Sequence, residues 1–215
     1  MRKILLLLIS IAHNISCTQF VGTIEELPDA IQKLMTGRSW KPECPVPLHD
    51  LRYLTITHWG YDNEVHTGHI VVHEKLAAEM VDIFSELFDA HFPIERMELV
   101  DQYNADDDLS MAANNSSAFC CRANTTFPGQ FSNHSYGTAI DINPLINPYV
   151  KGSKVLPEGG RAYLDRTQPH PGIITRSDDN ACYTAFMKRG YTWGGDLEGR
   201  TDYQHFHKEP QTVLE

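Results

Sequence analysis

The sequence lacks several features that would decide its class at once. Beyond the apolar run Ile4–Ala12 no stretch approaches the roughly 20 apolar residues of a membrane-spanning helix. It has no CxxC pair, which sets aside a zinc knuckle or a thioredoxin-type redox site. It has no GxSxG elbow, so a serine hydrolase built on Ser110 or Ser132 has no motif behind it. The acidic run Asp106–Asp108 lacks the EF-hand spacing and reads as a solvated turn. Internal repeats and low-complexity tracts are also missing. Positive charge is scarce, with 18 Lys+Arg against 28 Asp+Glu and a formal net charge of -10. Nucleic acid and anionic lipid both reward a basic patch, so neither is an expected partner.

What is present describes an ordinary globular protein of one domain, 215 residues long and 41% hydrophobic. Arg2, Lys3, the nine-residue run 4–12, apolar except for Ser10, and the polar His13–Asn14 have the layout of a secretory signal. The expectation is a leader over residues 1–17, a mature domain over 18–215, and export to the periplasm or cell envelope. A lipid anchor on Cys17 is the other possibility, disfavoured by Asn14 three residues before it. In an oxidising compartment Cys44, Cys120, Cys121 and Cys182 form an even set with three possible pairings. The adjacent pair is expected to bond to Cys44 and Cys182 rather than to itself.

Periodicity predicts a mixed α+β domain, a small antiparallel sheet flanked by helices with long ordered loops. Ile24, Leu27, Ile31 and Leu34 suggest a helix over Thr23–Met35, and alternation suggests a strand over Leu51–Thr57. The clearest helix is His73–His91, with an apolar stripe from Leu76 to Phe88. Met97–Tyr103 and Gly137–Asn143 read as strands, Asp106–Ser132 as irregular, and Pro144–Gly172 as a long surface loop. Ser177 is expected to cap a last helix of about twelve residues ending at Gly190.

Eleven histidines are the unusual count. The segment from Ser132 to Asn143 holds two candidate ligands, His134 and Asp141, seven apart. A straight strand would put them on opposite faces, so convergence needs a bend, and Gly137 can make it. Asp141 lies between Ile140 and Ile142, where a bare carboxylate is costly unless paired or bound to metal. The bland alternative is a structural Asp–His hydrogen bond. The tail adds Asp202-Tyr-Gln-His205-Phe-His207, whose spacing lets His205 face a metal while Asp202 faces the attacking water. Two histidines and a carboxylate with an open fourth position are a catalytic zinc arrangement. For His205 and His207 the alternative is an exposed polar tail. His58, His66 and His69 have no carboxylate at ligand spacing and are expected at the surface or lining a cleft.

The pattern SxHxxGxAxD followed by a C-terminal DxxH resembles the zinc peptidases of bacterial cell walls. These comprise D-alanyl-D-alanine carboxypeptidases, D-alanyl-D-alanine dipeptidases of vancomycin resistance and phage L-alanyl-D-glutamate endopeptidases. The stretch Asp107–Arg122, the NPYV at Asn147–Val150 and the WGGD box at Trp193–Asp196 are similar to their exported members. The resemblance implies that His134, Asp141 and His205 are the zinc ligands and Asp202 the catalytic acid–base. It puts Arg122 at the scissile carbonyl and makes Ser132 a substrate-binding or supporting hydrogen-bonding group. His207 stands where many relatives have Glu. The implied cofactor is Zn2+ and the implied partners are stem peptides or cross-links of peptidoglycan, cleaved by a monomer. The rival reading is a zinc-containing peptidoglycan-binding module without turnover, against which the intact Asp202 argues.

Overall fold

The computed structural model describes residues 19–124 and 127–214. The expected leader over 1–17 and Cys17 therefore lie outside the described residues. The first layer is an antiparallel sheet of β1 (Gly22–Glu26), β2 (Leu51–Trp59) and β3 (Val65–His73), in that spatial order. Helix α1 (Asp29–Met35) lies between β1 and β2 in the chain. On β2, Leu54, Ile56 and His58 alternate inward, the period-2 pattern of a half-buried strand. Helix α2 (Glu74–Asp89) follows β3 without a loop, because the His73 side chain caps it by accepting from the Lys75 backbone. Its buried stripe runs Leu76, Ala77, Met80, Ile83, Phe84, Leu87 and Phe88. Each fully buried side chain of this size stabilises the fold by about 1.5–3 kcal/mol.

Next come β4 (Arg96–Met97), α3 (Asp107–Ala112) and β5 (Asn115–Ser116), with β4 and β5 paired in parallel. Two further three-stranded ribbons complete the fold. Strands β6 (Ala139–Asp141), β9 (Thr192–Trp193) and β11 (His205–His207) run in the order β6-β11-β9. Strands β7 (Tyr149–Lys151), β8 (Lys154–Leu156) and β10 (Thr201–Asp202) run in the order β10-β7-β8. Helices α4 (Ala181–Met187) and α5 (Gln211–Leu214) close the chain. One core joins the layers: Ile56, Ile70 and Phe84 belong to the same buried cluster as Ile140, Phe186 and Phe206. The Phe186 and Phe206 rings stack with centroids 4.2 Å apart. Among the described residues no helix is long and apolar enough to cross a membrane.

The architecture is the α+β class expected, with small antiparallel sheets and helices, but several elements differ. The predicted helix over Thr23–Met35 is a strand and then a helix. Pro28 divides them: it disfavours helix in Leu27 before it, and the backbone of Thr23–Glu26 is taken up by β2. Met97–Tyr103 keeps only the end of β4, then turns into a 3-10 segment at Val100–Tyr103 that the left-handed Asn104 terminates. The irregular stretch contains α3, which Asp106 caps by accepting from the Leu109 backbone. The proline-rich loop folds into the β7–β8 hairpin and a 3-10 turn at Glu158–Tyr163. Asn180, not Ser177, caps α4, which has 7 residues rather than twelve; the Ser177 hydroxyl instead closes a turn to Asp179.

The cysteine expectation holds for one bridge. Cys44 and Cys121 are bonded, while Cys120 and Cys182 are free and buried. Successive residues of an extended segment point opposite ways, so Cys121 reaching Cys44 turns Cys120 inward. Cys182 sits in the main core on α4, fully enclosed by apolar neighbours.

Candidate metal centre

The centre is assembled by a bend and a strand pair. The Ser132 hydroxyl caps the 3-10 turn Asn133–Tyr136, accepting from the His134 backbone at 3.4 Å. Gly137 ends that turn in the left-handed region at φ +68, with a hypothetical Cβ 2.5 Å from the His73 nitrogen. Strain and a backbone clash both exclude a side chain there. The bend returns the chain into β6, where Asp141 pairs directly with His205 of β11. Ile140 and Phe206, one position along, point into the core. Alternation therefore sends Asp141 and His205 to the other face, beside His134.

Two ring nitrogens and the Asp141 carboxylate meet there. Asp141 Oδ1 lies 2.9 Å from His205 Nδ1, Asp141 Oδ2 lies 3.3 Å from His134 Nε2, and the two ring nitrogens are 3.2 Å apart. Ligands about 2.0–2.1 Å from a tetrahedral zinc are separated by roughly 3.3 Å, so the triangle fits one face of such a site. The donor chemistry agrees. His134 Nδ1 is 2.5 Å from the Ala118 carbonyl, which can only accept, so the ring carries its proton on Nδ1 and offers the Nε2 lone pair inward. Burial alone would raise the Asp141 pKa, but the His134 and His205 imidazoles overcome it and hold the carboxyl well below the usual range. Burial would likewise lower His205; its bond to Asp141 and the charges of Asp141 and Asp202 raise it instead. The three residues form a group that could hold a metal ion.

Asp202 reaches the site from the end of β10, one tight turn before His205. Burial pushes its carboxyl above the ordinary carboxylate range and the Asp141 charge adds to this, against the opposing pull of His205 and Gln204. Gln204 donates to Asp202 Oδ1 at 3.2 Å, and Trp193 Nε1 donates to the Tyr203 carbonyl at 2.9 Å. The WGGD box has a packing reason: a Cβ on Gly194 would lie 2.4 Å from the Asp202 carbonyl and 3.1 Å from the His205 Cβ. Sequence reasoning missed Arg166, whose guanidinium covers the Tyr203 ring at 4.4 Å. It also donates to the Ile146 carbonyl at 2.6 Å, Asn147 Oδ1 at 2.6 Å and the Ile174 carbonyl at 2.8 Å. It thus ties the Asp202–His205 turn to the chain that follows Asp141. Nothing in its local sequence, an apparent loop, signalled that role.

Arg122 and Ser132 line the same cleft as His134, Asp141, His205 and Asp202, a space of about 1300 Å³. Arg122 pairs with Asp107 at 2.8 Å, so the acidic run is more than a solvated turn. His207 is no exposed tail: only 9% of it is accessible. Its ring centroid lies 5.1 Å from that of His205. Burial, then the charges of His205 and His134, bring its pKa down to about 3, so it is neutral. Of the remaining histidines, His58 is buried on the core side of β2, against expectation. His66 meets Asp62 at 3.0 Å, a carboxylate partner four residues away. His69 stacks on Tyr53 at the surface, with centroids 5.1 Å apart.

No curated protein and no solved structure matches the chain. A family model does: residues 126–208 match the one described as D-alanyl-D-alanine carboxypeptidase. The matched stretch contains Ser132, His134, Asp141, Asp202 and His205, while Arg122 and Asp107 lie upstream of it. The whole His–Asp–His group therefore lies inside the stretch that is similar to this family of peptidases, and the match supports a peptidase.

Proposed function

We propose that the chain is an exported, zinc-dependent peptidase that hydrolyses D-amino-acid-containing peptides of bacterial peptidoglycan, as a carboxypeptidase or an endopeptidase. The observation that carries this reading is the triangle of His134 Nε2, Asp141 and His205 Nδ1 beside a carboxyl, Asp202, of raised pKa. The buried His–Asp–His donor set suits zinc. Zinc bound there supplies Lewis acidity, making water nucleophilic near neutral pH and polarising a carbonyl.

The chain's own residues do the rest. Asp202 takes a proton from the attacking water and passes it to the departing amine nitrogen. Its raised pKa suits it to both halves of that task, because a base too weakly basic would hold no proton to return. The Arg122 guanidinium, aimed by Asp107, faces the charge that develops on the carbonyl oxygen. Ser132 holds the turn that presents His134 and lines the cleft where the peptide lies.

Digestion of purified peptidoglycan by the metal-loaded protein, by a chelated sample and by Asp202→Asn tests the reading, with fragments weighed by mass spectrometry. A metal-dependent cut absent from the variant is expected, and the fragment masses identify the bond. Intact peptidoglycan in a sample holding one zinc per chain would sink the reading.

A further inference from the structure

The ribbon β10-β7-β8 forms one wall of the cleft, and its register sorts its side chains. Asp202 pairs with Tyr149, which pairs with Leu156; Thr201 pairs with Val150, which pairs with Val155. Val155 is buried, so the valine row faces the interior. Alternation then turns the Asp202–Tyr149–Leu156 row into the cleft, and the next row of that parity with it. That next row is Lys151 opposite Lys154, and extending the β10 register by one residue sets Arg200 beside Lys151. All three cations line the cleft. Arg200 is near enough for its charge to act on both Tyr149 and His207, which line the same cleft.

Three cations in adjacent register positions are unfavourable by themselves, because like charges directly opposite on neighbouring strands repel. Among the described residues none of the three has a carboxylate partner, whereas Arg122, the other cation of the cleft, is paired with Asp107. The remaining charge around the cleft is acidic, including Asp108, Asp202 and Glu209. An anionic peptide entering this space is repelled from those walls and drawn to the one row of uncommitted positive charge. The row lies two residues along the strand from Asp202, about 7 Å.

Resting on the peptidase reading above, we propose that Arg200, Lys151 and Lys154 form the substrate-carboxylate site of the cleft. The preferred substrate is then a peptide with a free carboxylate one or two residues from the scissile bond. The row sets specificity; it takes no part in proton transfer.

The test uses the metal-loaded full chain and a synthetic pentapeptide stem, beside versions in which each carboxylate in turn is a carboxamide. One of these replacements is expected to lower kcat/KM about tenfold through KM, the scale of one charged hydrogen bond. In Lys151→Gln/Lys154→Gln that discrimination collapses, and in Lys151→Glu/Lys154→Glu it reverses. Neither lysine is buried and their repulsion is removed, so the Gln variant should melt no lower than the parent. Equal discrimination in parent and variants would overturn the proposal while leaving the peptidase intact. If the parent cleaves nothing, calorimetric binding of the same peptides decides the row alone. Carboxylate-dependent binding lost in the variants supports it, and equal binding of both peptides to the parent overturns it.

Discussion

The sheet β1–β3 with α2 and the ribbons around the metal centre are built by different means. In the first, strands of nine residues and a helix of sixteen bury continuous apolar stripes. In the second, most strands have two or three residues, too few for ladder hydrogen bonds to fix their positions. Side chains bonding to backbone do that work instead. Asn147 donates to the carbonyls of Ile142, Asn143 and Gly172. Asn143 receives the Glu95 backbone and donates to the Pro93 carbonyl. Arg166 and Trp193 fasten the turn between Asp202 and His205. Damage to the first region should cost stability, and damage to the second should cost activity at nearly constant stability.

The sharpest separation is inside the centre itself. His205→Ala removes a ligand, and the variant should bind less than one metal per chain and show no turnover. Asp202→Asn should keep its metal and lose about 10²–10⁴-fold in kcat, the usual contribution of a positioned acid–base. Metal content by elemental analysis beside kcat checks both; loss of metal from Asp202→Asn would make Asp202 a ligand rather than a base. A smaller effect is expected at Arg166. Arg166→Met lets the Asp202–His205 turn drift, and small misplacements of reacting groups cost about ten- to a hundredfold. The loss should appear in kcat with KM and metal content preserved, whereas a merely structural role would lower the melting temperature and leave kcat per folded molecule unchanged. Phe84→Ala reverses the pattern, costing about 3–5 kcal/mol of stability with the folded fraction keeping its metal. Denaturant melts with and without zinc read that difference.

The same contrast explains what could be read from the sequence. Helix α2 and strand β2 were legible because burial imposes its period directly on Leu76–Phe88 and Leu51–Thr57. The candidate ligands were legible because His134, Asp141 and His205 must be those residue types whatever the local backbone does. The bend at Gly137 followed from a seven-residue spacing that no straight strand allows. Short elements carried no such signal. The strand in Thr23–Met35 exists because β2 had an edge to fill, and α3 and the β7–β8 hairpin lie in stretches where turn residues outweigh periodicity. Arg166 and the cation row were illegible for another reason: each is defined by partners far away in the chain or across a register, so neither leaves a local pattern.

The smallest effect separates the metal-free from the metal-bound centre by pH. In the chelated protein His205 has a raised pKa, so its bond to Asp141 stabilises fully below the unfolded value of 6.5 and fades as pH rises through the folded one. Asp141, with a lowered pKa, contributes above its ordinary value of 3.8 and is lost only as pH falls through its folded value. The chelated protein should therefore be steadiest between these limits and lose melting temperature as pH rises through the folded-state value of His205, by about 2–4 °C per kcal/mol lost. Metal binding needs the imidazoles deprotonated, so its stabilisation runs the other way and grows as pH rises from 6 to 8. The two melting curves should diverge with increasing pH. Parallel curves would mean that His205 exchanges no proton when the metal enters, and that the Asp141–His205 bond is not what holds the empty centre together.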